Sequence, residues 1–120
     1  MKTPNADVTT AIVALFGERS AYWTSQGYIG ADLYERLASD PELPENFRTG
    51  VAAAILQVKS EAMAQRRKRG QPPSFIRYAQ NSVTYPRHAF CLFLRDRFVE
   101  RRPPLARHEY TKRTREIARV

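Results

Sequence analysis

Residues 86–102 read PRHAFCLFLRDRFVERR. The run from Ala89 to Leu94 is apolar on every side, which marks an element surrounded by other elements. Six consecutive apolar residues also suit a buried strand. The stretch from Arg95 to Arg102 shows no alternation, so a helix over about 86–102 is predicted, stopped by Pro103-Pro104. If that helix is central, truncating Phe93 to alanine costs roughly 3–5 kcal/mol.

Upstream of it the chain reads as more helices. Thr3-Pro4 caps and opens a first helix of about five turns, with Val8, Ile12, Leu15, Arg19, Tyr22 and Gln26 in one line and Phe16 and Trp23 beside it. Ala31 to Ser39 forms a short helix with Leu33 and Leu37 inward. A long helix is predicted from about Glu45 to Arg69 on the spacing of Phe47, Val51, Ala54, Ile55, Val58 and Ala62, with Gly70 closing its C-terminus. Phe75, Tyr78, Ala79 and Ser82 share one side of a helix over 75–83, and Thr84-Tyr85-Pro86 turns the chain. The expected fold class is therefore all-α, a compact bundle of five to six helices around the helix near 86–102. One domain covers 1–104, and a basic helix or tail covers 105–120.

With 120 residues the chain is long enough for one domain and one core. Its lone cysteine, Cys91, rules out an intramolecular disulfide, and no apolar run reaches the length of a membrane span. These features lead to the expectation of a cytoplasmic protein with no membrane role.

Charge is segregated. Residues 1–65 hold 5 basic and 8 acidic side chains, whereas residues 66–120 hold 15 basic and 4 acidic. Of the 20 basic residues 16 are arginine, whose planar fork grips phosphate in a bidentate way. A polyanionic partner for one face is the expectation. The candidate nucleic-acid contacts are the run Arg66, Arg67, Lys68 and Arg69, then Arg77, the row Arg87, Arg95 and Arg102, and in the tail Arg107, Lys112, Arg113 and Arg115. Tyr85, in a turn between basic residues, is the candidate for base stacking.

Other chemistry is thinly represented. His88 and Cys91 stand three apart, but two histidines and one cysteine do not make a closed zinc site, so no metal is expected. No phosphate loop, nucleophile elbow or HExxH occurs, and no cofactor or catalytic residue is expected.

The function expected from these residues is a non-catalytic accessory subunit that holds an RNA or DNA backbone without reading sequence. RNA or single-stranded DNA is favoured, inside a larger nucleoprotein complex. In size, helicity and charge the chain resembles the small helical subunits of CRISPR effector complexes and the small DNA-binding proteins of plasmids and phages, a resemblance not carried by any motif. The acidic N-terminal half is left for other protein subunits, and head-to-tail self-association would use the same polarity. A first alternative is a sequence-specific helix-turn-helix regulator built from 75–83, the turn at 84–86 and the helix presenting Arg87 and His88. A second is an adaptor or inhibitor that binds an acidic protein surface.

Overall fold

The computed structural model describes residues 4–99. Five helices and a three-stranded antiparallel sheet make up these residues, so the chain is mixed α and β, not the all-α bundle that helical spacing suggested. The order is α1 (Pro4–Ser25), α2 (Ala31–Ala38), β1 (Asn46–Arg48), α3 (Thr49–Leu56), α4 (Ser60–Lys68), β2 (Ile76–Ala79), β3 (Ser82–Pro86) and α5 (Arg87–Arg97). Arg102, Arg107, Lys112, Arg113 and Arg115 lie outside the described residues, as does the helix or tail expected at 105–120.

Three predicted helices are corrected. The helix over 75–83 is a β-hairpin: β2 pairs with β3 and β3 with β1, giving the order β1-β3-β2. Ile76, Tyr78, Val83, Thr84 and Tyr85 all favour strand, and Gln80-Asn81 supplies the turn between them. Those preferences outweigh the accidental helical spacing of Phe75, Tyr78, Ala79 and Ser82. The helix expected over 45–69 is three elements. Its first residues pair as β1, with Phe47 opposite Tyr85, and the rest divides at Gln57 into α3 and α4. The final helix ends at Arg97, where Phe98 turns extended at φ −68°, ψ 124°, so it stops well short of Arg102.

Both α3 and α4 end in the same way. Gln57 is left-handed (φ 59°), with Gln57 N–H donating to Ala54 and Val58 N–H to Ala53. Gly70 is left-handed (φ 67°), with Gly70 N–H donating to Arg67 and Gln71 N–H to Arg66. Each is a Schellman ending, which satisfies two carbonyls that the helix leaves open and sends the chain off in a new direction. The expected closure at Gly70 is thus present.

The core lies where α2, α3, the sheet and α5 meet. Phe47 at its centre packs edge-on against Phe16 of α1 (6.2 Å) and Phe90 of α5 (5.5 Å), and Tyr85 adjoins Phe90 at 6.3 Å. Leu37, Val51, Ala52, Met63 and Cys91 are fully buried beside them. Helix α5 packs on α2 and β3 and reaches the core through Phe90 and Cys91, but Ala89 and Leu92 to Leu94 are only half-buried, so it is not the surrounded central helix that the apolar run suggested. Phe93 is only half-buried, with the guanidinium groups of Arg97 and Arg66 5.2 and 5.9 Å from its ring.

Asp40, just beyond α2, is fully buried and accepts three hydrogen bonds: from Arg19 Nε (2.7 Å), Trp23 Nε1 (2.8 Å) and the Glu42 N–H (2.9 Å). Those bonds join α1 to the turn that leads into β1. Among the described residues no helix is long and apolar enough to cross a membrane.

Candidate nucleic-acid interface

Helix α4 is divided cleanly along its length. Met63 is fully buried and Ala62, Arg66 and Arg67 are half-buried, so these four face the protein. Ser60, Glu61, Ala64, Gln65 and Lys68 are all exposed. At about 100° per residue these five span roughly 140° of the helix surface. Helix α3 lies behind, its Val51, Ala52 and Ala53 buried, and the small alanines let neighbouring backbones come close.

Two arginines of the basic run tie α4 to the chain that follows it, Arg67 to the hairpin and Arg66 to the segment leading into it. Arg67 Nη1 donates to the buried Tyr85 hydroxyl at 2.6 Å, and Arg66 Nη1 donates to the Pro72 carbonyl at 3.2 Å. Arg67 also lies 6.0 Å from the Phe75 ring. At the far end of the hairpin Arg77 Nη1 donates to the Gln80 carbonyl at 2.9 Å and braces the turn. Tyr78 stands out from β2 with 64% of its surface exposed.

The sequence-predicted contacts therefore fall into two groups. Lys68, Arg69 and Arg77 are exposed on α4, its end and the hairpin, as a phosphate contact requires. Arg66, Arg67, Arg87 and Arg95 are at least partly covered and engaged by partners within the chain, Arg67 and Arg87 on part-buried groups, Arg66 and Arg95 at the surface; the exposed Arg77 has a partner too, the Gln80 carbonyl. Arg87 is half-buried, its Nε on the Ala38 carbonyl (3.0 Å) and its Nη1 on the Leu43 carbonyl (2.9 Å), so it holds the end of α2 and the turn after it. Arg95 bonds Asp96 (3.1 Å) and Glu35 (3.0 Å), and these two partners raise its pKa in that order of weight. The row Arg87, Arg95, Arg102 is thus not a free phosphate track over its described part. Tyr85 is a correction too: with no exposed surface and its hydroxyl held by Arg67, it has no face for a base. The helix-turn-helix expected at 75–83 and 87 onward is a hairpin followed by α5, and the two helices joined by a tight turn are instead α3 and α4.

Comparison with known protein families, curated proteins and solved structures finds no match.

Sequence reasoning missed Lys59, Ser60, Glu61 and Gln65, because a single long helix over 45–69 gave them no distinct face. The signal was Gln57-Val58-Lys59-Ser60, in which Ser60 is suited to a helix start. Titratable groups elsewhere serve the fold. Burial pushes the Cys91 thiol up to about 12, away from any nucleophilic role. Burial acts to raise the Asp40 pKa, but the bonds from Arg19, Glu42 and Trp23 outweigh it and hold this carboxyl below its ordinary value. Among the described residues no group of three or more His, Cys, Asp or Glu side chains is placed to hold a metal ion. A groove of about 770 Å³ between the start of α1 and the sheet is lined by residues such as Thr9, Ile12, Asn46, Thr49 and Thr84, with Arg48 the one ionisable group among the described residues on its walls.

Proposed function

We propose that this chain is a duplex-DNA-binding module of the helix-turn-helix type, with α4 entering the major groove and the β2–β3 hairpin lying beside it as a wing. The observation that carries this reading is the exposed face of α4. It is a helix surface exposed along the whole of α4, made of Ser60, Glu61, Ala64, Gln65 and Lys68, with no large apolar side chain, and it follows a tight turn from α3. The second helix of a helix-turn-helix contacts base edges with its leading residues, here Ser60, Glu61, Ala64 and Gln65. Lys59 at the start of α4, Lys68 and Arg69 at its end and Arg77 on the hairpin are exposed, and in this reading they supply phosphate contacts that fix the register.

The order helix, strand, helix, turn, helix, hairpin is also that of winged helix-turn-helix proteins, an analogy of fold that supports the reading without carrying it. Compared with a subunit that only holds a backbone, this reading needs fewer free arginines. That suits a surface on which Arg66, Arg67, Arg87 and Arg95 already have partners. It also implies a cytoplasmic location, where DNA and a reduced Cys91 coexist.

The test is fluorescence anisotropy with labelled duplex DNA, single-stranded DNA and single-stranded RNA over a range of salt. Duplex DNA is expected to bind most tightly. Changing Lys59, Lys68, Arg69 and Arg77 together to glutamine is expected to reduce the salt slope by about 3 to 4. Tighter binding to either single strand would favour the backbone-holding subunit, and binding to none of the three would reject both.

A further inference from the structure

Between residues 46 and 88 the chain carries eight basic side chains and a single acidic one, Glu61. That one carboxylate is exposed, in the first turn of α4 and on its outward face between Ser60 and Gln65. Its nearest charged neighbour in sequence, Lys59, is exposed as well. If α4 sits in a groove, this is a costly place for a negative charge. Phosphates line both walls, and most base edges in the major groove offer acceptors that repel a carboxylate: guanine N7 and O6, thymine O4 and adenine N7. Cytosine differs, since its N4 amino group donates and no acceptor stands beside it on that edge.

We propose that Glu61 is a specificity-determining residue, which accepts a hydrogen bond from a cytosine N4 amino group in the major groove. This rests on the reading of α4 as the groove-entering helix. The carboxylate then acts in two directions. It weakens binding to every duplex that lacks cytosine at the contacted position, and it recovers that loss only where the amino donor is present. A lone acid in a basic surface thus separates specific from non-specific binding, which cations alone do not do.

An acid in the first turn also complements the helix dipole, a purely structural role. The two roles part under substitution. In a selection from a randomised duplex pool, the wild type is expected to enrich a site with one fixed C·G pair. Glu61→Gln is expected to replace that pair by A·T, since glutamine bonds adenine N6 and N7, and Glu61→Ala to leave the position unspecified. Discrimination at that one pair is expected to fall roughly 5- to 150-fold in Glu61→Ala. Both variants are expected to bind a duplex of unrelated sequence more tightly than the wild type. Thermal unfolding of each variant checks that it folds. If the wild type selects a site and both variants select the same site with the same discrimination, Glu61 only balances a helix end and the proposal is overturned while the DNA reading stands. If the wild type binds no duplex, both fall together.

Discussion

The chain before Asn46 and the chain after it carry opposite charge. Residues 1–45 hold seven acidic and three basic side chains, and residues 46–88 hold one acidic and eight basic. The structure shows that the two regions also spend their charges differently. In the first, Asp40 is buried on Arg19 and Trp23, Glu35 bonds Arg95, and Arg19 and Arg36 lie over Tyr22 and Tyr28 at 4.4 and 4.3 Å. In the second, Arg66, Arg67 and Arg87 point back into the fold while Lys59, Lys68, Arg69 and Arg77 are exposed. A charge count therefore overstates the surface on offer to a polyanion. What remains after the committed arginines are set aside is smaller and better placed, around α4.

The largest effect is expected where the two regions share a core. Phe47 touches Phe16 from the first and Phe90 beyond the second, so Phe47→Ala is expected to cost about 3–5 kcal/mol in urea unfolding. Phe90→Ala belongs in the same range. Phe93→Ala is expected to cost less, about 1–2 kcal/mol, because its ring is half-buried under two guanidinium groups. Equal losses at Phe90 and Phe93 would mean that α5 is enclosed on both sides and that the basic region extends over it.

The comparison sharpens at the arginines. Arg87→Gln removes bonds to the Ala38 and Leu43 carbonyls and is expected to destabilise by about 1.5–3 kcal/mol while leaving the salt slope of duplex binding as it was. Lys68→Gln with Arg69→Gln is expected to do the reverse: stability within about 0.5 kcal/mol of the wild type, and a salt slope lower by about 2. If Arg87→Gln lowered the slope as well, the division into committed and free cations would fail.

Asp40 sets the acid side of the first region. Its folded pKa lies below the ordinary 3.8, so its contribution is complete above that value and is lost as pH falls through the lower folded value. Melting temperatures taken from about pH 6 down to about pH 2 are expected to fall more steeply for the wild type than for Asp40→Asn, which has no proton to gain at that site. Parallel curves would show that the acid lability comes from other carboxyl groups.

Much of the first region was legible because its signals are local. Pro4 opens α1, Gly30 precedes α2, and Leu37 is buried as its spacing implies; the expected cap Thr3 lies outside the described residues. That α5 contributes to the core was legible in the apolar run at 89–94, since Phe90 and Cys91 are buried, but the other four residues of the run are only half-buried and α5 lies against α2 and β3 rather than being surrounded. The second region was harder. Strand β1 has three residues, and its pairing with β3 spans about forty positions, which no local periodicity encodes. The hairpin was misread because Phe75, Tyr78, Ala79 and Ser82 happen to fall at helical spacing, although the last three are exposed, and only β-propensity argues for strands there. The candidate site inherited both errors. Arginines were judged by number, and number does not distinguish Lys68 in water from Arg67 on a buried tyrosine hydroxyl.

The smallest expected effect concerns the turn that made α4 a separate helix. Gln57 and Gly70 stand in the same left-handed conformation and make the same pair of Schellman hydrogen bonds, but only one of them is a glycine. A side chain in that conformation costs about 1–2 kcal/mol, while glycine gives back part of the gain through the greater freedom of its unfolded chain. Gln57→Gly is therefore expected to stabilise the protein by roughly 0.5–1 kcal/mol, and Gly70→Gln to destabilise it by a similar amount, both read from urea midpoints at constant slope. Such a mirrored pair would establish that α3 and α4 turn at Gln57 in solution. If Gln57→Gly were instead destabilising by about 1 kcal/mol, as for glycine inside a continuous helix, residues 49–68 would form one rod, and no separate α4 would exist to enter a groove.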